Sequence, residues 1–228
     1  IVRQGKVYNF IDTAGLVRAS KKKQGIPYLA ALRSLTALER ADVVLLVLDS
    51  AEPITHQDQI LAHQATEAGK GLILLANKWD IKKDETDMPV GSQEEEKRRN
   101  SMIRKLQQKF PFIPWAPVIF TSAVTKKNLA PIFEQIGTVA QERQKEIKTN
   151  ELNSFIRQLS SSEGRGHWPK LKYITQTGAR PPQFVVFVNR KKKVSSSFSR
   201  YLEHRFREKF QFTGTPVWMN YREEGKND

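Results

Sequence analysis

The 228-residue sequence contains no cysteine, which excludes a disulfide framework and a cysteine-based zinc site. No apolar run approaches the roughly 20 residues that a membrane-spanning helix needs. The first ten residues lack both the charged head and the apolar core of a secretory signal peptide. We therefore expect a protein of a reducing compartment with no membrane partner.

Acidic residues are scarce beside basic ones. The chain has 38 Lys and Arg against 24 Asp and Glu, a net charge of +14 and a pI near 10.0. A surplus of this size favours polyanionic partners. Nucleic acid is favoured over a membrane, because no basic amphipathic helix presents a broad Trp or Leu face. A well-solvated surface with surplus lysine stays open as the alternative.

Strand-like and helical patterns alternate over residues 5–148. Apolar runs predict strands at 7–11, 43–48, 72–76 and 117–121, and helical spacing predicts helices at 27–40, 57–68, 94–110 and after Asn128, which can cap the last one. Continuous apolar runs suit parallel strands that are buried on both faces. The pattern predicts an α/β domain with a mainly parallel sheet and flanking helices.

The pattern changes near residue 149, where a smaller unit with the order α-β-β-α-β is predicted. Its strands are expected at 171–177, 184–189 and 216–221, and the helical spacing of Phe198, Tyr201, Phe206 and Phe210 marks these rings as core. Residues 149–228 carry 15 Lys and Arg against 7 Asp and Glu, whereas residues 1–148 carry 23 against 17. The chain is thus divided into domains 1–148 and 149–228, the second with the higher charge density.

Three short polar motifs each follow a predicted strand, at the edge of a parallel sheet where ligands bind. The first motif is DTAG, formed by Asp12, Thr13, Ala14 and Gly15. The carboxylate of Asp12 can hold Mg²⁺ through water, and the backbone N–H of Gly15 can approach a terminal phosphate. An ordinary strand-to-turn junction is the alternative for this motif alone.

The second motif is NKWD at residues 77–80. Guanine presents two adjacent N–H donors that one carboxylate can accept together, so Asp80 suits guanine and not adenine, a discrimination of about 1–3 kcal/mol. Asn77 can reach the ring nitrogen N7 and tie neighbouring loops, and the stem of Lys78 can lie over the base. A plain polar loop stays open as the alternative.

The third motif is Thr121-Ser122-Ala123. The backbone N–H of Ala123 can donate to guanine O6, and Ser122 can brace Asp80. By itself this motif carries almost no information. It is informative only because it is the third motif in the chain and, like the other two, directly follows a predicted strand.

In this order the three motifs resemble the later motifs of the P-loop GTPase superfamily. Further stretches resemble the second GTPase domain and the KH-like C-terminal domain of the Der (EngA) family, and these are residues 35–44 with Asp49, 67–71, 181–189, 200–203 and 212–216. The resemblance implies a P-loop-GTPase-like α/β fold at 1–148 and a small α+β KH-like domain at 149–228. Der proteins assist assembly of the large ribosomal subunit.

The sequence also departs from that family pattern. It has no G-x-x-x-x-G-K-[ST] phosphate loop and no first switch region. We therefore expect a C-terminal fragment whose GTPase domain is incomplete at its N-terminus, with weak nucleotide binding and little hydrolysis on its own. Leu16 stands where many GTPases place a water-orienting Gln, so no catalytic residue is assigned.

The resemblance implies a GTP-binding and GTP-hydrolysing factor in large-subunit assembly, using GTP or GDP, Mg²⁺ and K⁺ in the intact parent. Its expected partners are the large subunit and its rRNA, and we expect a monomer in the bacterial cytoplasm, or in an organelle if the source is a eukaryote. Phosphate contacts are assigned to Arg190, Lys191, Lys192 and Lys193, although a solvated hairpin tip would explain these residues equally well.

Two other functions stay open. The first is a non-enzymatic RNA- or ribosome-binding module in which the incomplete nucleotide domain is a scaffold. The second is a different GTPase, such as one that modifies tRNA.

Overall fold

The computed structural model describes residues 1–3, 5–11, 37–81, 92–161 and 168–223. In the first domain two short strands form an antiparallel hairpin, and three longer strands form a parallel sheet in the order β3-β4-β5. These elements are β1 Val2–Arg3, β2 Lys6–Val7, β3 Val43–Asp49, α1 His56–Glu67, β4 Gly71–Asn77, α2 Gln93–Lys109, β5 Val118–Phe120 and α3 Ala130–Arg143. The α/β class and the parallel sheet are confirmed.

The central strand β4 is buried on both faces, as its apolar run predicts. Leu72, Leu74 and Ala76 face the cluster formed with α1 and α2, whereas Ile73 and Leu75 face α3. This alternation follows from the two-residue period of a strand. Because side chains fill both faces, β4 holds a fixed position, and so does the loop at its carboxyl end.

The expectation that β3 is buried on both faces is wrong. Val47 is 57% exposed, while Leu46 and Leu48 on the opposite face are buried. Helix α3 packs against Val43 and Leu45 near the start of the strand and leaves Val47 uncovered. Among the described residues, β3 pairs with β4 alone.

The strand expected at 7–11 is also wrong. Among the described residues, strand β2 ends at Val7 and pairs with β1 alone, and residues 8–11 belong to no strand. A strand is stable only where a neighbour satisfies its backbone groups. Instead, the rings of Tyr8 and Phe10 pack edge-on against Phe133, with centroids 5.2 and 6.0 Å away. The segment before DTAG therefore lies against α3 and outside the parallel sheet.

The start of helix α3 differs from the expected Asn128 cap. The helix begins at Ala130, its capping position is Leu129 and no side chain caps it, with Pro in the first turn. Asn128 adopts a left-handed backbone conformation (φ 57°) and donates its side-chain N–H to the Phe120 carbonyl at 2.9 Å. Its Nδ2 atom thus closes the loop after β5, and Asn128 lies one residue before the capping position of the helix.

The second domain has the predicted α-β-β-α-β order. Its elements are α4 Thr149–Ser161, β6 Leu171–Gly178, β7 Gln183–Val188, a short 3₁₀ helix Lys191–Lys193, α5 Ser196–Phe210 and β8 Trp218–Glu223. Strand β7 lies in the middle, antiparallel to β6 and parallel to β8. Phe198, Phe206 and Phe210 are buried between α5 and the sheet, as expected, and Tyr201 packs against them half-buried.

A loop of the second domain joins the amino end of β4. The N–H of Leu72 donates to the Gly214 carbonyl at 2.8 Å, and the N–H of Gly214 donates to the Trp115 carbonyl at 2.9 Å. Nearby, the buried guanidinium of Arg143 donates to the carbonyls of Asp42 and Gly69. This junction lies at the opposite end of the sheet from the strand carboxyl ends.

No helix within the described ranges is long and apolar enough to cross a membrane.

Candidate functional site

The carboxyl ends of the three parallel strands lie side by side. In the strand register, Asp49 at the end of β3 is paired with Asn77 at the end of β4, and β5 ends one residue before Thr121. Ligands of open parallel sheets bind at this edge. The sheet therefore brings the second and third sequence motifs together, as predicted.

Asn77 connects the loops that follow the three strands. Its side-chain oxygen accepts hydrogen bonds from the Ala123 backbone N–H at 3.1 Å and from the Thr121 hydroxyl at 3.3 Å. Its backbone carbonyl accepts from the N–H of Ser50, after β3, at 2.9 Å. The expected tie between loops is thus present, and the Nδ2 donor of Asn77 has no protein acceptor in the described parts of the chain.

Lys78 is held along the rim of the site. Its backbone is left-handed (φ 59°), and its ammonium lies 2.6 Å from the Oδ2 atom of Asp49. The other carboxylate oxygen of Asp49 accepts from the N–H of Ala51 at 3.0 Å. The lysine side chain stays half exposed, so its methylene stem lies along the surface and its charge is neutralised at the far end.

The turn that carries Asp80 is fixed by its neighbours. The N–H of Trp79 donates to the Thr121 carbonyl at 3.0 Å, and its buried indole packs on Phe120 with ring centroids 4.3 Å apart. The Arg98 guanidinium lies 4.0 Å from the centre of the Trp79 ring. It donates to the carbonyls of Trp79 at 3.1 Å and Ile81 at 2.6 Å.

Asp80 itself is exposed at the end of this fixed turn. Burial lowers the pKa of Arg98, and the charges of Glu95 and Asp80 act in the opposite direction, so Asp80 and Arg98 are close enough to interact electrostatically. In the described structure, no hydrogen bond joins Asp80 to Asn77 or to Ser122. The carboxylate therefore faces solvent beside the rim formed by Asn77 and Lys78.

Ser122 does not brace Asp80 as expected. It is fully buried, and its hydroxyl accepts from the Thr125 N–H at 3.1 Å. Its role in the structure is to shape the loop that presents Ala123. Because the N–H of Ala123 already donates to Asn77, a contact from Ala123 to guanine O6 requires that this hydrogen bond be shared or exchanged.

Asp12, Thr13, Ala14, Gly15 and Leu16 lie outside the described residues. The Mg²⁺ contact of Asp12 and the phosphate contacts of this motif therefore stay predictions. Within the described ranges, no group of three or more His, Asp or Glu side chains could hold a metal ion.

The predicted RNA-binding residues lie together on the surface of the second domain. Arg190 and the three lysines of the 3₁₀ helix are all exposed. The N–H of Lys191 donates to a carboxylate oxygen of Glu223 at 3.2 Å, which fixes this short helix beside β8. Their assignment to phosphate contact stays a prediction.

Two residues contribute to the site through contacts that the sequence did not predict. Arg98 lies 18 positions after Asp80 on a helix that is rich in charge, where nothing distinguishes it from its neighbours. Asp49 ends an apolar run, and only the parallel register shows that it faces Lys78.

The fold is an α/β domain with polar loops at the carboxyl edge of its parallel sheet, an arrangement typical of nucleotide-binding domains, and a small basic α+β domain follows it. Profiles of known families agree: "Elongation factor Tu GTP binding domain" matches residues 1–142, and "KH-domain-like of EngA bacterial GTPase enzymes, C-terminal" matches residues 146–222.

Curated relatives match almost the entire chain. A protein named GTPase Der from Thermomicrobium roseum is 38% identical over 231 residues, which cover 100% of this chain and 48% of the relative. GTPase Der from Alkaliphilus metalliredigens is 38% identical, with 97% and 49% covered, and that from Agathobacter rectalis is 39% identical, with 98% and 49% covered. The chain belongs to the Der (EngA) family of GTPases, and it spans about half the length of the curated relatives it matches.

Proposed function

We propose that the first domain binds guanine nucleotide and that the protein hydrolyses GTP as a factor in assembly of the large ribosomal subunit. The observation that carries the nucleotide part is the fixed Asn77–Asp80 turn at the carboxyl edge of the sheet. Three hydrogen bonds hold this turn: the Trp79 N–H donates to the Thr121 carbonyl, and the Arg98 guanidinium donates to the carbonyls of Trp79 and of Ile81, the next residue. Because the backbone of this turn is already held, less conformational freedom is lost when Asp80 binds a base.

Each residue has a separate role in this proposal. The carboxylate of Asp80 accepts the N1 and N2 hydrogens of guanine, and the Nδ2 atom of Asn77 donates to N7. The stem of Lys78 covers the base plane, while Ser122 shapes the loop from which Ala123 donates to O6. Asp12, Thr13, Ala14 and Gly15 are assigned to the phosphates and to water-bound Mg²⁺.

The proposed binding to the ribosome is based on the positive charge of the second domain. Residues 168–223 carry 12 Lys and Arg against 3 Asp and Glu. Glu203 and Glu208 are paired with arginines of their own helix, so little negative charge offsets the basic surface. We assign Arg190 and the lysines of the 3₁₀ helix to rRNA phosphates, with the protein acting as a monomer in the bacterial cytoplasm, or in an organelle if the source is a eukaryote.

The nucleotide part is tested by saturation-transfer NMR, which detects weak ligands, with GDP and ADP at equal concentration. We expect transfer to GDP and much less to ADP, because adenine offers no paired donors to Asp80. Equal transfer to both nucleotides would contradict the guanine assignment.

The ribosomal part is tested by co-sedimentation with purified large subunits over a series of salt concentrations. Binding should fall as salt rises, and replacing Lys191, Lys192 and Lys193 with Ala should weaken it. A matched control replaces three exposed lysines of α2, namely Lys97, Lys105 and Lys109, and removes the same charge elsewhere. If the two triple variants lose binding equally, net charge alone accounts for the interaction and the assignment to the 3₁₀ helix is wrong.

The charge of the second domain also favours the other candidate, a non-enzymatic RNA-binding module. The two are separated by repeating the sedimentation with GTP, with GDP and without nucleotide. A GTPase factor binds the subunit differently in these states, whereas a plain binding module gives the same result in all three.

A further inference from the structure

The sheet of the second domain has two different faces. Phe184, Val186 and Val188 of β7 point to the helices α4 and α5 and are fully buried in the domain core. Side chains of the opposite parity point away from these helices. On that open face, the strand register places Tyr173, Phe187 and Arg222 in one row across β6, β7 and β8.

Two aromatic rings are stacked on the open face. The centroids of Tyr173 and Phe187 are 4.1 Å apart and the ring planes differ by 16°. Tyr173 is 39% exposed and Phe187 is partly buried. Neither ring belongs to the hydrophobic core, so the need to fill that core does not account for them.

Positive charge surrounds this pair. Arg222 is exposed at the end of the row. Lys172 is also exposed and precedes Tyr173 at an irregularity in the register of β6 with β7. Strands β6 and β7 contain no acidic residue. The one acidic residue of β8, Glu223, accepts the N–H of Lys191 with a carboxylate oxygen. The open face therefore combines an aromatic surface with a basic rim.

We propose that Tyr173, Phe187 and Arg222 form a stacking platform for one or two bases of single-stranded RNA. The inference deepens the proposed rRNA-binding function and rests on it. Bases stack on exposed aromatic rings with little regard to sequence, because every base has a π-face. The Arg222 guanidinium extends the platform by lying over a base.

Single-stranded RNA fits this face better than duplex RNA. In a helix the bases are already stacked on each other, and sequence-tolerant aromatic contacts need bases that are splayed out. The lysines of the 3₁₀ helix contribute charge but no ring. The platform therefore adds a base contact to a surface that would otherwise recognise phosphates alone.

The test measures affinity of the whole chain for a fluorescent single-stranded RNA oligonucleotide and for a duplex of the same length. Tyr173→Ala removes the exposed ring, and Tyr173→Phe keeps it. Phe112→Ala is the matched control, since Phe112 is a surface aromatic of the first domain with 37% exposure. Thermal melting of each variant confirms that it is folded.

Stacking of one base predicts that Tyr173→Ala weakens single-strand binding roughly 5- to 100-fold, while Tyr173→Phe and Phe112→Ala bind as the original protein does. Duplex binding should change far less. An oligonucleotide that carries 2-aminopurine provides a second readout, because its fluorescence is quenched when the base stacks. Quenching should occur with the original protein and disappear with Tyr173→Ala.

Two results would overturn the platform. If every variant binds single-stranded RNA equally and with the same salt dependence, RNA binding holds but the bases do not stack on this face. If the original protein binds no RNA even at low salt, the proposed rRNA function fails and the platform fails with it.

Discussion

The side-chain oxygen of Asn77 accepts a hydrogen bond from the backbone N–H of Ala123, 46 residues further along the chain. This contact joins the second and third motifs of the sequence across the carboxyl ends of β4 and β5. Thr121 donates to the same oxygen, so one amide holds the loop after β5 at two points. The geometry of the proposed base site depends on this side chain.

Replacing Asn77 separates its structural role from its proposed binding role. Asn77→Ala leaves the donors of Thr121 and Ala123 without their acceptor and should cost about 1–3 kcal/mol in the free energy of unfolding. Asn77→Asp keeps the acceptor but loses the Nδ2 donor. It should therefore retain more stability than Asn77→Ala while losing guanine affinity. Urea denaturation measures the stability of each variant, and ligand-observed NMR measures its guanine affinity. Equal stability of the two variants would show that the hydrogen bonds accepted by the Asn77 side chain do not stabilise the loops.

Arg98 should be needed for the geometry of the Asp80 turn. Arg98→Ala removes two hydrogen bonds to carbonyls and the contact with the Trp79 ring, a loss of about 1–3 kcal/mol. Arg98→Lys keeps the charge but cannot reach both carbonyls with one planar group. We expect both variants to weaken guanine binding, Ala more than Lys. Unchanged guanine binding in Arg98→Ala would show that the turn keeps its shape without the contacts made by Arg98.

The junction between the domains should be sensitive to one added methyl group. Gly214 has φ +70°, and a Cβ there would lie 2.2 Å from the Val139 side chain. Gly214→Ala therefore combines a backbone cost with a clash and should destabilise the protein by roughly 2–4 kcal/mol.

Gly5→Ala is the control for that substitution. Gly5 also has positive φ (+74°), but nothing lies within 4 Å of its Cβ position. Only the backbone cost of about 1–2 kcal/mol applies there. Thermal denaturation of the two variants isolates the clash, and equal melting temperatures would contradict the close packing at Gly214.

Stability should fall at alkaline pH because of Tyr221. Burial raises the pKa of Tyr221 above its ordinary value of 10.0, and a smaller interaction with Ser199 acts in the opposite direction. A raised pKa means that the fold favours the neutral phenol. This stabilisation is complete below the unfolded pKa and is lost as pH rises through the folded one.

Tyr221→Phe has no hydroxyl to ionise and provides the comparison. As pH rises from about 9.5 through the unfolded tyrosine pKa of about 10 and above it, the original protein should lose more free energy of unfolding than Tyr221→Phe. Parallel pH profiles of the two proteins would show that Tyr221 does not contribute.

Periodicity and apolar runs predicted most of the regular elements. The continuous run that forms β4 and the helical spacing of Phe198, Phe206 and Phe210 each correspond to an observed element, because burial alone dictates these patterns. The α-β-β-α-β order of the second domain follows from the same signal. The division between domains at residue 148 stays a prediction, although α4 begins at Thr149.

The predictions of local structure that were wrong failed because of tertiary contacts. Residues 7–11 have the composition of a strand, yet only Val7 pairs with a described strand, and the rings of Tyr8 and Phe10 pack on Phe133. Asn128 has the chemistry of a cap, but its amide satisfies a carbonyl of the preceding strand instead. Neither the packing of these rings on Phe133 nor the hydrogen bond of Asn128 can be recognised from the local sequence.

The candidate site was predicted by motif and order, but its supporting contacts were not. The placement of Asn77 and Ala123 near each other followed from parallel strands ending at one edge. The ion pair of Lys78 with Asp49 depends on the strand register, and the hydrogen bonds from Arg98 to the Asp80 turn depend on how α2 packs. Ser122 was assigned to Asp80 because the two residues were expected at the same edge, whereas burial directs its hydroxyl to its own loop.

The most direct test of guanine recognition by Asp80 is the relative affinity of GDP and xanthosine diphosphate for the original protein and for Asp80→Asn. Xanthine carries an oxygen where guanine has its amino group, so an amide at position 80 should bind it better than a carboxylate does. Ligand-observed NMR titration should show a preference for GDP that reverses in Asp80→Asn, with each preference about 10-fold. An unchanged ratio of the two affinities would contradict the account.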